Sequence, residues 1–361
     1  MENQITQLIN KYKVIITLGS GGVGKTTTST AIATAAAIQG KKVALISIDP
    51  AKRLADAMGI KLGFEMTKVR LPESKGELWA AMLDQKAVFD QLVKKYAPSP
   101  KIYNQIFSNQ IYNSISGNLG GPQEYMALAK LSELADGDYD LIVIDTPPDT
   151  HAIDFLDKPS ILSDFMDKKV MNWLIKPFTL AQKMGLLKAV SASEKLMFGL
   201  AKVTGVSMLQ KLAEFLVLME TTISGLHKSG EKIINLLQNQ NTCFLLVTTA
   251  TSSGTLSSIN IATLLKQYGY QLSAIILNRQ IPEIYQQGIK FWKSSKESLS
   301  SMETEFINLE KRYLDQCKNT AAIEKAIHSI FNSQIEVIPI EEKRQIVHDL
   351  ATFIKFSTSL A

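Results

Sequence analysis

Gly19-Ser20-Gly21-Gly22-Val23-Gly24-Lys25-Thr26-Thr27, directly after the apolar run Val14 to Leu18, decides the fold. The spacing GxxxxGK(S/T) between a strand-like run and the alanine-rich helical run Thr28 to Gln39 is that of a phosphate loop. The backbone of Gly21, Gly22, Val23, Gly24, Lys25, Thr26 and Thr27 wraps the phosphates, the Lys25 ammonium is aimed at the β- and γ-phosphates, and the Thr26 hydroxyl ligates Mg²⁺. Amides at the start of the helix face the same anion. The stretch also contains Gly19-x-Gly21-x-x-Gly24, a dinucleotide fingerprint, with Asp49 near where a ribose-binding acid would stand. A dinucleotide loop has no use for a lysine and a threonine after its last glycine, so the triphosphate reading is kept.

Working outward, seven runs read as strands: Val14 to Leu18, Val43 to Ile48, Leu78 to Leu83, Leu141 to Asp145, Cys243 to Thr248, Leu272 to Leu277 and Ile335 to Ile338. Nearly all are apolar throughout, as strands covered on both faces are, which predicts an α/β fold with a doubly wound, mainly parallel sheet. Two long helical stretches, Gln85 to Leu134 and Phe155 to Gln240, interrupt this rhythm. They predict an inserted all-helical subdomain at 85–134 and 155–240, with the core formed by 1–84, 135–154 and 241–361.

In the second stretch Leu209, Leu212, Leu216, Met219, Ile223 and Leu226 make a heptad-like seam, and Phe215, Val217 and Leu218 widen the apolar surface beyond it. Met166, Met171, Met184, Met197, Met208 and Met219, half of the chain's 12 methionines, fall here, and thioethers suit adaptable surfaces. An apolar binding groove and plain core both remain open. Leu299, Met302, Phe306, Leu309 and Tyr313 form a further seam read as packing, and Ile346, Leu350, Phe353 and Ile354 an ordinary amphipathic helix.

The 361 residues allow one large or two modest domains, and 39 basic against 34 acidic residues give a net +5 without a basic stripe, which argues against nucleic acid as a partner. Only Cys243 and Cys317 are present, so no disulfide framework or CxxC metal pair forms. Met1 to Lys13 is polar, and the apolar run after it is too short for a signal or membrane segment, so a cytoplasmic location with at most transient membrane association is expected.

Asp145 ends an apolar strand and is followed by Thr146-Pro147-Pro148, which places a carboxylate beside the loop to hold the water shell of Mg²⁺. Asp49 ends the second strand, where it can orient an attacking water, cap the helix after Pro50, or both. With these motifs, QEYMAL at Gln123 to Leu128, DTPPDTHAIDFL at Asp145 to Leu156 and Leu277-Asn278-Arg279, the chain resembles the ArsA-type ATPases over nearly its whole length. That family includes arsenite-pump ATPases and guided-entry ATPases for tail-anchored membrane proteins. The resemblance implies ATP and Mg²⁺ as cofactors, Asp49 in switch I, Asp145 to His151 as switch II, Asn278 on the adenine and a loop at Pro339 near the base. It also implies a nucleotide-sandwich dimer whose hydrolysis opens and closes a helical groove for an apolar client protein.

Three departures qualify this. The family's loop reads GKGGVGKT, with a first lysine that reaches the partner's phosphates, and here that position is Ser20. The chain is therefore expected to work with a paralogue that keeps the lysine, or to hydrolyse slowly as a homodimer. The missing CxxC removes the zinc clasp of the eukaryotic members, and the lack of clustered thiols argues against arsenite. The expected function is an ATP-hydrolysing switch that controls a client-binding helical region; the alternatives are a slow or inactive nucleotide-binding subunit, an arsenite-pump ATPase and a partition-type ATPase.

Overall fold

The computed structural model describes residues 4–48, 53–72, 74–116, 123–147, 206–294, 303–342 and 350–360. Asp49, Pro148 to His151, the methionines from Met166 to Met197, Leu299, Met302 and Ile346 lie outside them. The chain divides into two compact units, one of Met1–Leu83, Glu133–Leu156 and Leu236–Ala361, the other of Asp84–Ser132 and Asp157–Asn235.

The first unit is built on one sheet. Its strands are β1 (Val14–Leu18), β2 (Lys42–Ser47), β3 (Thr67–Val69), β4 (Glu77–Met82), β5 (Leu141–Asp145), β6 (Thr242–Thr249), β7 (Leu272–Gln280) and β8 (Glu336–Glu341), in the order β3-β4-β2-β5-β1-β6-β7-β8. The sequence predicts seven strands; the eighth is β3, whose TKV has one buried residue and no apolar run to announce it. It pairs antiparallel with β4, while every other pairing is parallel. β1 and β5 are buried at all five positions, as parallel strands with both faces covered must be.

Helix α1 (Gln4–Lys11) precedes the sheet, and α2 (Lys25–Ile38) follows β1. The run Ala35 to Ala37 on α2 is buried among Val43, Leu45, Leu78 and Val143, its methyl side chains allowing close approach to the strands. α3 (Arg53–Met58) follows β2. The order reverses around β1, so its C-terminal end lies at a topological switch point, the place where open α/β sheets form ligand crevices.

The second unit holds α4 (Gln85–Tyr96), α5 (Pro100–Ser108), α6 (Gln110–Ser116) and most of α7 (Gln123–Ala135) and of α8 (Val206–Leu237). Asp84 and Ser99 cap α4 and α5 through their side-chain oxygens. Val93, Ile106, Tyr112, Phe215 and Met219 form its core, with Phe89, Phe107, Leu218 and Ile223 packed on it. Phe89 stacks on Tyr112 with centroids 5.6 Å apart, and Phe107 tilts against it at 5.5 Å. Thus Phe215 and Leu218, surplus to the seam in the sequence, are taken up by the cluster with Val93, Ile106 and Tyr112 from α4 to α6, and the Met219 thioether is core.

The sheet unit continues with α9 (Ser252–Gln267), α10 (Glu283–Ser294), α11 (Glu303–Phe331) and α12 (Leu350–Leu360). Phe306, Leu309 and Tyr313 of the second seam are half-buried, and Phe353 is fully buried where α12 packs on α2. Among the described residues no helix is long and apolar enough to cross a membrane.

Candidate functional site

The loop from Gly19 to Gly24 joins β1 to α2, and three of its glycines are there for stereochemical reasons. Gly22 and Gly24 have φ of 77° and 101°, which only glycine adopts readily. A β-carbon on Gly24 would collide with Asn278 Nδ2, and one on Gly19 with the Val247 carbonyl. The loop therefore runs with its backbone close to β6 and β7, and Gly24 also caps the 14-residue helix α2 without a side-chain hydrogen bond at that cap, the kind of helix start that favours an anion.

Lys25 is buried, and its Nζ donates to Gly19 O and Ser20 O, both at 2.8 Å, so the ammonium sits inside the loop it follows. Gly21 and Gly22 are exposed, Val23 is buried, and Thr26 and Thr27 are half-buried in the first turn of α2. Thr26 Oγ1 donates to Asp145 Oδ2 at 2.8 Å. Asp145 is fully buried, and Ser47 Oγ donates to the same oxygen at 3.0 Å while Ser29 Oγ lies 3.5 Å from Oδ1.

Neighbouring bonds lock this strand end. Thr146 Oγ1 donates to Thr17 O at 2.6 Å, Thr17 Oγ1 to Ile144 O at 3.0 Å, and Ile48 N to Asp145 O at 2.9 Å. A buried carboxylate is costly without such donors. A hydroxyl, a carboxylate and a second hydroxyl at one point make a hard-oxygen set suited to Mg²⁺, with Thr26 and Asp145 as the residues that would hold it.

Asn278, near the end of β7, donates from Nδ2 to Val23 O at 2.8 Å, which ties this strand to the phosphate loop. Pro339 is expected in a loop but lies within β8, opposite Leu277. Proline is tolerated there because β8 is the last strand: Glu342 N donates to Gln280 O, so by alternation the Pro339 nitrogen faces away from β7. The structure thus brings together Gly21 to Thr27, Asp145 and Asn278, with Pro339 one register position away, while Asp49 is outside the described residues.

Sequence reasoning missed Ser47, Ser29 and Thr17. Ser47 had a signal: it closes the apolar run KVALIS and stands opposite Asp145 in the parallel register, where a polar residue in a covered strand needs a partner.

The chain is 34% identical over 159 residues to "ATPase ASNA1 homolog 1" of Paramecium tetraurelia, covering 44% of this chain and 47% of that protein. It is 33% identical over 172 residues to "ATPase get3" of Aspergillus terreus, 46% and 50% of the two chains, and 30% identical over 201 residues to "ATPase get3" of Schizosaccharomyces pombe, 55% and 58%. The chain spans about half the length of the curated relatives it matches. The model of the ArsA-type family, described as anion-transporting ATPase, matches residues 12–332, a span that takes in the glycine loop, the buried Asp145 and the Asn278 strand end, and the chain belongs to that family.

Proposed function

We propose that the chain is a Mg²⁺- and ATP-dependent hydrolase acting as a switch, whose nucleotide state controls the apolar helical unit in targeting or chaperoning membrane proteins in the cytoplasm. The observation that carries this is the 2.8 Å bond from Thr26 to the fully buried Asp145, beside a loop that encloses the Lys25 ammonium. In this reading Lys25 neutralises phosphate charge, Thr26 holds the cation directly and Asp145 through water, Asp49 orients the attacking water, and Asn278 and Pro339 flank the base. Bound Mg²⁺ supplies charge neutralisation at the terminal phosphates. The functional particle is a dimer, of two copies or of this chain with a lysine-bearing paralogue, and its client is an apolar helix.

Ser20 favours a second reading, a slow subunit that depends on such a paralogue for its missing cation. A charge supplied by a partner is worth about 10³- to 10⁵-fold in phosphoryl transfer. ATP turnover of the pure chain is measured beside Ser20→Lys, together with binding of a transmembrane-type peptide in the presence of ATP or ADP. A large gain in Ser20→Lys supports the dependent subunit, and equal fast rates refute it. Peptide affinity that differs between the nucleotides supports the switch, and peptide binding blind to them overturns it.

A further inference from the structure

Strand β7 ends irregularly. Arg279 has φ of 58°, in the left-handed region that strains a residue with a β-carbon, and the register to β8 slips by one, with Leu277 opposite Pro339 but Gln280 opposite Glu341. On the β8 side the ladder carries on through Glu342 N to Gln280 O at 2.8 Å. On the other side β6 has left the sheet after Thr249, so the Arg279 carbonyl and the Ile281 amide, which alternate to that side, lie beyond its reach.

The side chain of Gln316, from the middle of α11, meets both groups. Its Nε2 donates to Arg279 O at 2.9 Å and its Oε1 accepts from Ile281 N at 3.1 Å. A residue of a parallel strand makes this same pair of bonds to the residues flanking its partner. The amide therefore replaces the departed strand beside Gln280. Helix α11 is itself tied to α9 by a 3.2 Å bond from Thr255 Oγ1 to Asn319 Oδ1.

What this clamp orients is Asn278. Its Oδ1 accepts from Arg279 N at 2.9 Å and its Nδ2 donates to Val23 O at 2.8 Å, so the carboxamide is set between the turn and the phosphate loop. A carboxamide offers a donor and an acceptor side by side, the pattern that matches the amino group and adjacent ring nitrogen of adenine.

We infer that Gln316 is a positioning residue for base recognition: it holds Arg279 in the left-handed turn and thereby aims the Asn278 carboxamide. The inference rests on the proposed role of Asn278 in reading the base. It is tested on the full chain by calorimetric binding of Mg-ATP, Mg-GTP and inorganic triphosphate. Gln316→Ala removes two neutral hydrogen bonds and is expected to weaken ATP binding about tenfold, to lessen the preference for ATP over GTP, and to leave triphosphate binding within about twofold. Should that variant not fold, Gln316→Met keeps the bulk without the bonds.

Glycine adopts the same φ without strain. Adding Arg279→Gly to the Gln316 variant should therefore restore ATP binding to within about threefold of the parent, by the same arithmetic. Unchanged ATP binding in the Gln316 variant, an equal loss for ATP and triphosphate, or failure of the glycine rescue would each overturn the inference. Asn278→Ala separates the two levels: normal ATP binding there removes the base-reading role itself, whereas loss in Asn278→Ala with none in Gln316→Ala removes only the positioning role.

Discussion

The sheet unit and the helical unit bury their apolar surface by different means. In the sheet, ladder hydrogen bonds fix Val143 opposite Ile15 and Ile15 opposite Cys243, and side chains take the positions that register leaves them. In the helical unit, Phe89, Phe107 and Tyr112 touch ring to ring and Phe215 and Met219 fill the space among the helices, so side chains set where the backbone goes. The first arrangement holds a polar group such as Asp145 at a set register position, opposite Thr17 and Ser47. The second has no such ladder, and a change of one ring is passed to whole helices. A fixed site at the phosphate loop and an adaptable packing among the helices are thus built from different interactions.

The largest effect that would break this contrast concerns Lys25. Lys25→Ala should lower ATP turnover about 10²- to 10³-fold, as loss of a preorganised charged donor does, while hydrogen exchange in the helical unit stays as in the parent. Accelerated exchange or unfolding in both units would show that the loop and the aromatic core are not separable. Next, Phe215→Ala should cost about 3 kcal/mol in denaturant unfolding, with exchange accelerated along Val206–Leu237 and not in β1 or β5.

A smaller effect sharpens the contrast through pH. Burial first, and then the Asp90 carboxylate that accepts from its hydroxyl at 2.5 Å, raise the Tyr112 pKa above the ordinary 10.0 of a phenol. The folded state keeps this proton to higher pH than the unfolded chain. The resulting stability is whole below about pH 10 and shrinks as pH rises beyond it. Tyr112→Phe should therefore cost about 1 kcal/mol at neutral pH and show a shallower alkaline decline in thermal unfolding. In the sheet unit Cys243, pushed up from 9.0 to about 12 mainly by burial, gives the same sign, so Cys243→Ala should flatten the loss above pH 9 there. The smallest effect is a matched pair. Thr34 and Thr222 are fully buried, one in each unit, and among the described residues their hydroxyls have no hydrogen-bond partner. Thr34→Val and Thr222→Val should each raise stability by up to about 1 kcal/mol.

The parallel strands were legible because covered strands are written as unbroken apolar runs, and the phosphate loop because its glycines and lysine stand at fixed chain spacing. β3 was not, since Thr67 and Lys68 are exposed and only Val69 is buried. What Asp145 would meet beyond Thr26 was hidden for another reason: Ser29 and Ser47 come from two elements, and only the register of β2 against β5 brings Ser47 to it. Gln316 had no local signal at all, because its bonds lie 35 and 37 positions away along the chain. Phe215 and Leu218 looked like an excess of apolar surface in the sequence because their partners, Val93, Ile106 and Tyr112 among them, come from another stretch of helices.

The two borders of the sheet carry one more consequence. At one, β3 is three residues long and exposes Lys68; at the other, Pro339 removes an outward amide from the middle of β8. Neither margin offers the long open row of donors and acceptors on which an extra strand could template itself. Among the described residues, the sheet's own borders therefore work against copies stacking edge to edge into fibres.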